Sequence, residues 1–296
     1  MRQISWRYRV ACEHSGSHLC WNCPVLNPLQ SSLLPPSTLS SSSLRVATYN
    51  IHKGVRGLGP TKRLEIHNLG LAVEAMDADI VCLQEVRQFH HSEARRFSPT
   101  NFGPLSWPKQ PQAEYLAPEG YDVAYRSNAI TRHGEHGNAL LARWPLGKVG
   151  HHDVSDHRFE QRGLLHVPVY WRGVEVHVVV VHLGLIHASR VRQAEQLASM
   201  ITEHIPSDAP VVIAGDFNDW NEKLDSILFA ADLQRASACK DSNVPTFPSR
   251  IPVLALDRVY TRGLRCQSVM VPRGAAWARM SDHLPLVVEL DLDSQS

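Results

Sequence analysis

The sequence predicts an α/β fold in which hydrophobic strands alternate with amphipathic helices from residue 44 onward. Short apolar runs rich in β-branched residues recur along this part of the chain, and segments with apolar residues three or four positions apart lie between them. Several of the apolar runs end abruptly in an acidic or amide residue, for example at Glu85 and Asp216. Because α/β enzymes deliver polar side chains to one edge of a sheet in this way, the sequence predicts a polar site as well as a fold class.

The predicted strands are the runs with the length and composition of buried β-structure. In chain order they are residues 45–50, 80–84, 138–142, 164–169, 174–182, 210–214, 256–260, 265–271 and 284–290. Residues 174–182 are nearly all valine, which indicates a strand buried on both faces.

Three helices are predicted between these strands. Residues 61–76 repeat apolar residues at helical spacing, and a second helix begins with Ser189 as its N-cap and carries an apolar stripe. A third is expected near residues 223–231. Two long segments, residues 89–120 and 241–252, are predicted as loops, and loops of that length often border a functional cleft.

Composition places the chain among ordinary globular proteins. Of its 296 residues 43% are hydrophobic and 20% charged, and 30 Lys and Arg against 29 Asp and Glu give a net charge of +1. No global electrostatic field therefore indicates a nucleic-acid or membrane partner. No apolar run reaches the roughly 18 residues of a membrane span. The six cysteines do not form a disulfide framework, so we expect a cytoplasmic protein, and a monomer.

Residues 1–43 differ from the rest. Their second half is rich in Ser and Pro and cannot form a core, so we expect a disordered tail, with the catalytic domain at residues 44–296. A zinc site is the alternative for the cluster that the tail contains, which consists of His14, His18, Cys20 and Cys23. Because a structural zinc site needs a folded shell, and Ser-rich sequence follows instead, we favour the disordered tail.

Oxygen-bearing side chains fall at or just beyond the predicted strands, and two imidazoles do the same. The oxygen-bearing residues are Asn50, Glu85, Asp216, Asn218, Asp257 and Asp282, and the imidazoles are His182 and His283. Any one of these residues is more often a turn residue, a helix cap or a core histidine, but a chance origin for all eight is far less common. Carboxylate and amide oxygens suit Mg²⁺ or Mn²⁺, and histidines beside them suit hydrolysis of a phosphate ester.

Five motifs, in order, resemble the endonuclease/exonuclease/phosphatase superfamily over residues 44–292. They are residues 44–51 (LRVATYNI), 80–85 (IVCLQE), 215–218 (GDFN), 256–260 (LDRVY) and 281–285 (SDHLP). The likeness is strongest to its deoxyribonuclease/sphingomyelinase-like branch and to a small bacterial group, with some likeness to lipid-remodelling proteins of GPI-anchor biology. The resemblance implies a four-layer sandwich, with two β-sheets packed face to face and helices on the outside.

The resemblance also implies a role for each residue of the motifs. Asn50, Glu85 and Asp282 resemble metal ligands, for which we expect Mg²⁺ and, as an alternative, Mn²⁺. Asp216 resembles the residue that activates water, Asn218 the one that holds the phosphate, and Asp257 the carboxylate that orients His283. His182 resembles a second catalytic histidine, and Arg162 and Asn138 are candidates for phosphate contact. Residues 182–185 (HLGL) depart from the segment of the abasic-site endonucleases, which disfavours that activity.

The sequence leaves three functions open. The first is a metal-dependent phosphodiesterase that hydrolyses nucleic acid, which requires a basic cleft; Arg87, Arg95, Arg96 and Arg126 are candidates for it. The second is a phospholipid or sphingolipid head-group phosphodiesterase in peripheral contact with a membrane. It requires an exposed apolar rim, for which the candidates are Phe97, Phe102, Trp107 and Phe247. The third, a binding module without catalysis, is disfavoured because the catalytic positions are intact.

Overall fold

Two six-stranded β-sheets form the centre of the protein in the computed structural model, which describes residues 43–98, 106–157, 160–220, 223–237 and 244–293. The first sheet contains, in spatial order, β13 (Leu264–Met270), β14 (Leu286–Leu292), β1 (Leu44–Asn50), β4 (Ile80–His90), β6 (Gly134–Ala142) and β5 (Asp122–Thr131). The second contains β11 (Gln234–Arg235), β12 (Asp257–Arg262), β10 (Val211–Asp216), β9 (Val174–His182), β8 (Gly163–Trp171) and β7 (Gly150–Asp153). Two short strands, β2 (Val55–Arg56) and β3 (Arg63–Leu64), pair separately.

The two sheets pack face to face around a shared core. Ala47 and Val81 of the first sheet belong to the same buried cluster as Val178 and Val212 of the second. The opposite face of the second sheet, which includes Val179, contributes to another cluster. Strand β9 is therefore buried on both faces, as its valine content predicts.

Helices cover the outer faces of both sheets. They are α1 (Ile66–Met76), α2 (His91–Phe97), α3 (Gln112–Leu116), α4 (His187–His204), α5 (Asp225–Ala230) and α6 (Trp277–Met280). Helix α1 buries its predicted apolar face in the shared core, and α4 buries Ala194, Leu197 and Ile201 against the second sheet. The α/β fold and the face-to-face sandwich are thus confirmed. Within the described ranges, no helix is both long and apolar enough to cross a bilayer.

Two helix starts differ from the prediction. The first helix begins at Ile66, because Gly57 and Gly59 adopt positive φ angles and turn the chain so that β2 pairs with β3. Ser189 is not an N-cap. Helix α4 begins at His187, and the Ser189 hydroxyl donates a hydrogen bond to Asp156 Oδ2 at 2.6 Å instead of capping the backbone.

The predicted loop at residues 89–120 is partly wrong, since the end of β4 and helices α2 and α3 lie within it. Residues 99–105 of that segment are outside the described residues, as is most of the predicted tail with its His and Cys cluster. Strands β5, β7 and β11 were not predicted, because each lies at the edge of a sheet and lacks a continuous or alternating apolar pattern.

Candidate active site

Three neighbouring strands bring predicted site residues together at one edge of the second sheet. Strand β10 pairs with β9 in parallel, so that Asp216 lies opposite His182, and with β12 in antiparallel, so that Asp216 lies opposite Asp257. A Cβ atom at Gly215 would lie 1.9 Å from the carbonyl oxygen of Val181. Glycine at this position therefore permits the close approach that aligns the two strand ends.

Asp216 is the most connected side chain of the site. Its Oδ2 atom accepts a hydrogen bond from Asn50 Nδ2 at 3.1 Å and lies 3.7 Å from His182 Nε2 and 3.6 Å from His283 Nε2. Its Oδ1 atom accepts a hydrogen bond from the backbone N–H of Asn218 at 2.9 Å. Burial raises the pKa of this carboxyl group to about 6, although the nearby His283 charge acts in the opposite direction.

A second carboxylate orients His283. Its Nδ1 atom lies 2.8 Å from Asp257 Oδ2, which also accepts a hydrogen bond from the Thr246 hydroxyl at 2.6 Å. The ring of Phe247 packs against the imidazole, with the centroids 4.9 Å apart. Burial would lower the pKa of His283, but the charges of Asp257 and Asp216 outweigh burial and raise it to about 10. His283 is therefore an imidazolium at neutral pH, with Nε2 directed toward Asp216.

His182, in contrast, is a neutral imidazole at neutral pH. It is buried at the end of β9, and burial together with the positive charge of Arg162 lowers its pKa to about 3. The site therefore combines one charged and one neutral imidazole on the two sides of Asp216.

Two ionised carboxylates lie beside this group, each paired with a basic side chain from the turn after β1. Lys53 Nζ is 3.2 Å from Glu85 Oε2, and His52 Nδ1 is 3.1 Å from Asp282 Oδ2. Burial alone would raise the pKa of Glu85, but the charge of Lys53 and its hydrogen bond lower it to about 2. Burial likewise opposes the shift at Asp282, where the hydrogen bond and charge of His52 hold the pKa well below its usual range.

Asn50 joins the two groups of residues. Its side-chain oxygen accepts a hydrogen bond from the backbone N–H of His52 at 3.1 Å, and its amide nitrogen donates to Asp216. Its carbonyl oxygen accepts from the Ser281 hydroxyl at 2.7 Å, and that hydroxyl lies 3.3 Å from Asp282 Oδ1. The predicted oxygen donors are thus linked through one hydrogen-bonded turn.

Two sets of residues could hold a metal ion. Among the described residues, Asp216, Asp257 and His283 form the one group of carboxylate, imidazole or thiol donors whose ligand atoms all lie within 4.8 Å of one another. The second set, predicted from sequence, is Asn50, Glu85 and Asp282. It offers only oxygen atoms, and Glu85 Oε2 is buried without a well-aligned hydrogen bond, so its chemistry fits a hard cation such as Mg²⁺.

The remaining predicted residues differ in their fit to the site. Asn218 is buried beside Asp216, and its side chain donates to the Leu183 carbonyl at 2.9 Å. Arg162 pairs with Glu160 at 3.1 Å, but its Nε atom is buried without a partner. Asn138 Nδ2 donates to the carbonyl oxygens of Gly163 and Val180, so this amide joins β6 of one sheet to β8 and β9 of the other.

Sequence reasoning missed three cationic or titratable side chains around the site. His52 and Lys53 contact the predicted metal ligands directly, and their position two and three residues after Asn50 indicated only that they lie near the site. His136 lies on β6, where burial and the charge of Lys53 lower its pKa to about 4. No spacing in the sequence indicated that β6 would bring His136 near Glu85, because the pairing of β4 with β6 is a tertiary feature.

The apolar rim predicted from sequence is not formed by the expected side chains. Trp107 is buried and stacks with Phe97, Phe247 packs against His283, and Phe102 is outside the described residues. Other large apolar side chains are exposed on the loops that leave the site. They are Leu185 and Ile186 after β9, Trp220 after β10, and Ile251 and Val253 in the loop that carries Phe247.

Comparisons of sequence and of structure both relate this chain to endonuclease/exonuclease/phosphatase proteins. A model of the endonuclease/exonuclease/phosphatase family matches residues 47–283. The uncharacterized protein YbhP of Escherichia coli (strain K12) is 36% identical over 262 residues, which cover 87% of this chain and 100% of that protein.

Solved structures share the fold at lower sequence identity. An endonuclease/exonuclease/phosphatase from Beutenbergia cavernae DSM 12333 has a TM-score of 0.65 at 23% identity, over 85% of this chain and 72% of that chain. TDP2 of D. rerio, complexed with a single-strand DNA product, has a TM-score of 0.59 at 14% identity, over 84% of this chain and 99% of that chain.

Proposed function

Because the chain belongs to the endonuclease/exonuclease/phosphatase family, we propose that it is a divalent-metal-dependent phosphodiesterase. Family membership supports a hydrolase that acts on phosphate esters. One observation carries the proposal: Asp216 lies between a charged and a neutral imidazole, beside two ionised carboxylates. Together these groups supply a base, a hydrogen-bond donor and a cation site, which are what hydrolysis of a phosphate ester requires.

Asn50, Glu85 and Asp282 are the residues that would hold Mg²⁺ or Mn²⁺. The alternative set is less suitable, because Asp257 Oδ2 and His283 Nδ1 are already hydrogen-bonded to each other and Asp257 Oδ2 also accepts from Thr246. When bound, the cation would neutralise charge that develops on the phosphate.

The protein's own residues divide the remaining chemistry. Asp216, with its pKa near 6, is the group suited to orient and deprotonate the attacking water. Asp257 holds Nδ1 of His283, so that Nε2–H of the imidazolium is free to donate to a phosphate oxygen or to the leaving group. His182 faces the same carboxylate from the other side, and Asn218 and Arg162 are the proposed phosphate contacts. Asn138 is the weaker candidate for such a contact, because its amide already donates to two carbonyl groups.

Nucleic acid is the first substrate class that we propose. TDP2, which shares this fold, has been crystallised with a DNA product, and the exposed indole of Trp220 lies two residues after Asn218, where it could stack on a base. The predicted basic patch offers less support, since Arg87 is buried and paired with Glu93.

A phospholipid head group is the second substrate class, and the exposed apolar loops favour it. His182 and Asp216 end adjacent parallel strands, so Leu185, Ile186 and Trp220 emerge at the same edge. Aliphatic side chains do not stack on bases, but they can enter the interfacial region of a bilayer. Such loops would place a lipid phosphate over Asp216.

Hydrolysis assays with two matched variants distinguish these substrates. The purified protein would be tested in Mg²⁺ against single-stranded DNA, plasmid DNA, phosphatidylglycerol and sphingomyelin vesicles, and a short-chain soluble lipid. If nucleic acid is the substrate, we expect Trp220→Ala to raise KM for single-stranded DNA several-fold. For lipid we expect Leu185→Ser with Ile186→Ser to reduce turnover on vesicles while turnover on the soluble lipid is retained.

Leu71 on α1 provides a control, because it is an exposed apolar residue on a helix rather than on the loops at the site. Leu71→Ser should change none of these rates. Absence of metal-dependent cleavage of every phosphodiester in the panel would contradict the proposed function itself.

A further inference from the structure

Four histidines lie close together on the second sheet and the end of α4, away from the active site. They are His152 on β7, His166 on β8, His177 on β9 and His204 at the end of α4. His177 and His182 lie on the same strand, five residues apart. At roughly 3.3 Å per residue these two histidines are about 16 Å apart along the strand, so this cluster is distinct from the catalytic group.

The imidazoles contact one another directly. His166 Nε2 lies 3.0 Å from His177 Nδ1, and both rings are buried. The ring of His152 is 5.0 Å from that of His204 and 6.4 Å from that of His166, measured between centroids. The four rings thus form a row of direct neighbours, which runs from His204 through His152 and His166 to His177.

The hydrogen bonds leave one ring nitrogen of His204 and one of His166 without a protein partner among the described residues. His204 Nδ1 lies 3.2 Å from the Met200 carbonyl oxygen, so Nδ1 carries the proton and Nε2 is an acceptor. His177 Nε2 lies 3.7 Å from Glu175 Oε1, which favours a proton on Nε2 and leaves His177 Nδ1 to accept from His166 Nε2. His166 Nδ1 is then the free lone pair. Metal-binding histidines have this pattern, in which the second ring nitrogen donates to a carbonyl group or another acceptor.

The local environment also favours the neutral form of the His152, His166 and His177 rings. Burial is the main cause that lowers the pKa of His166 to about 4, and the neighbouring imidazoles of His177 and His152 further disfavour its protonation. Burial is likewise the main cause that lowers the pKa of His152 and of His177. A neutral imidazole is the form that binds a metal ion.

We propose that His152, His166 and His204 bind one divalent transition-metal ion of the zinc class, and that His177 positions His166. Imidazole nitrogen suits zinc far better than it suits magnesium. Two imidazoles on a tetrahedral zinc ion have ring centroids roughly 5 Å apart, since each nitrogen lies about 2 Å from the metal. His152 and His204 already have this separation, and His152 and His166 exceed it by about 1 Å.

Binding therefore requires a small movement of side chains. Across the described part of the chain, no three of these nitrogens lie within 4.8 Å of one another. The movement is available, because His204 is exposed and His152 half-buried, so both rings can turn toward the buried His166. A bound ion would tie the end of α4 to β7, which is an edge strand with a neighbour on one side only.

Metal titration of the metal-free full-length protein tests this site. Because Cys20 and Cys23 could bind zinc by themselves, all variants would carry Cys20→Ser and Cys23→Ser. Binding of Zn²⁺ would be followed by calorimetry, and binding of Co²⁺ by the visible absorption of tetrahedral cobalt. We expect His204→Ala and His166→Ala each to weaken one equivalent by at least about 100-fold, and His177→Ala to weaken it roughly 10–100-fold.

His151→Ala is the matched control, since His151 is the exposed neighbour of His152 on the same strand and should leave binding unchanged. Equal binding by His204→Ala and the parent protein would overturn the proposal, as would an equal loss in His151→Ala. His204 is exposed, so this result does not depend on whether the buried His166 tolerates substitution. Phosphodiester hydrolysis in Mg²⁺ is a separate readout, and we expect His204→Ala to leave it unchanged.

Discussion

His182 and His283 show how partners decide the charge of two buried imidazoles. Both lie within 4 Å of the same carboxylate oxygen, on Asp216. Only His283 has a second carboxylate, Asp257, on its other nitrogen, and its pKa is raised whereas that of His182 is lowered. The pair can therefore act as one donor and one neutral ring at the same pH.

The dependence of His283 on Asp257 gives the first prediction. His283→Ala should lower kcat by about 10²–10⁴, the usual effect of losing a positioned acid or base. Asp257→Asn should act through His283, so the double variant should lose little more than His283→Ala alone. Steady-state kinetics of the three variants measure this coupling, and independent, multiplicative losses would show that Asp257 has a separate role.

The ion pair between Lys53 and Glu85 gives the second prediction. An ammonium group 3.2 Å from a proposed metal ligand competes with the cation for that carboxylate. A unit charge at this distance contributes on the order of 1 kcal/mol even at the dielectric constant of water, so Lys53→Met should tighten Mn²⁺ binding by at least about 5-fold.

Lys62 is the control for Lys53, because it pairs with Glu93 away from the proposed ligands. Lys62→Met should leave Mn²⁺ affinity unchanged in the same calorimetric titration, and Glu85→Gln should weaken it. Weaker Mn²⁺ binding in Lys53→Met would mean that Lys53 supports the cation site instead of competing with it.

At the scale of single residues, the sequence predicted the site residues that lie at the ends of apolar strands. Apolar runs show that Asp216, Asp257 and His182 each end or begin a strand, whereas the pairing of those strands, which brings the three residues together, is a tertiary feature. The contacts of His52 and Lys53 could not be predicted, because cations in a turn after a strand are usually solvated. Whether they fold back onto Glu85 and Asp282 depends on tertiary packing.

Among the elements, the close pairing of β9 with β10 depends on Gly215. A methyl group at Gly215 would lie 1.9 Å from the Val181 carbonyl oxygen, so the strands would have to separate. Gly215→Ala should lower the free energy of unfolding by roughly 1–3 kcal/mol. Urea unfolding measures this, and Gly70→Ala in α1, where no atom lies within 4 Å of the new methyl group, should instead be neutral or stabilising by up to about 1 kcal/mol.

The burial of His166 on β8 predicts that the protein loses stability in mild acid. His166 has a folded-state pKa near 4, whereas the unfolded chain takes up the proton near the ordinary value of 6.5. The unfolded state therefore binds more protons in this window, and stability that is present above pH 6.5 is lost as the pH falls toward 4. We expect a loss of about 1–2 kcal/mol from this group after allowance for solvent screening.

Urea unfolding at several pH values, with chelator present, measures how steeply the free energy of unfolding changes with pH. His166→Gln cannot take up the proton, so its stability should fall less steeply between pH 6.5 and 4 than that of the parent. The exposed His187 provides a control, and His187→Gln should keep the parental slope. Parallel slopes for the parent and His166→Gln would contradict the assignment.

The elements differ in how well the sequence predicted them. Buried strands such as β9 and β10 were predicted because they are nearly continuous apolar runs. Edge strand β5 was not, because most of its side chains are partly or fully exposed and carry no alternation. Its existence depends on pairing with β6, which a local pattern does not encode.

At the scale of the whole molecule, the near-neutral net charge and the exposed apolar loops both bear on which substrate the protein selects. A net charge of +1 gives little long-range attraction to nucleic acid. The exposed apolar side chains follow β9 and β10 within four residues of His182 and Asp216, so they belong to the loops that leave the site. Substrate choice should therefore depend on these loops more than on overall charge.

Metal-dependent hydrolysis of a simple phosphodiester tests the central claim most directly. Turnover of bis(4-nitrophenyl) phosphate would be measured for the parent protein and for Asp216→Asn, in Mg²⁺, in EDTA, and after Mg²⁺ is restored. We predict that EDTA abolishes turnover by the parent, that Mg²⁺ restores it, and that Asp216→Asn is slower by about 10²–10⁴ under every condition with metal. Undiminished turnover in EDTA, or equal rates for the parent and Asp216→Asn, would contradict the account.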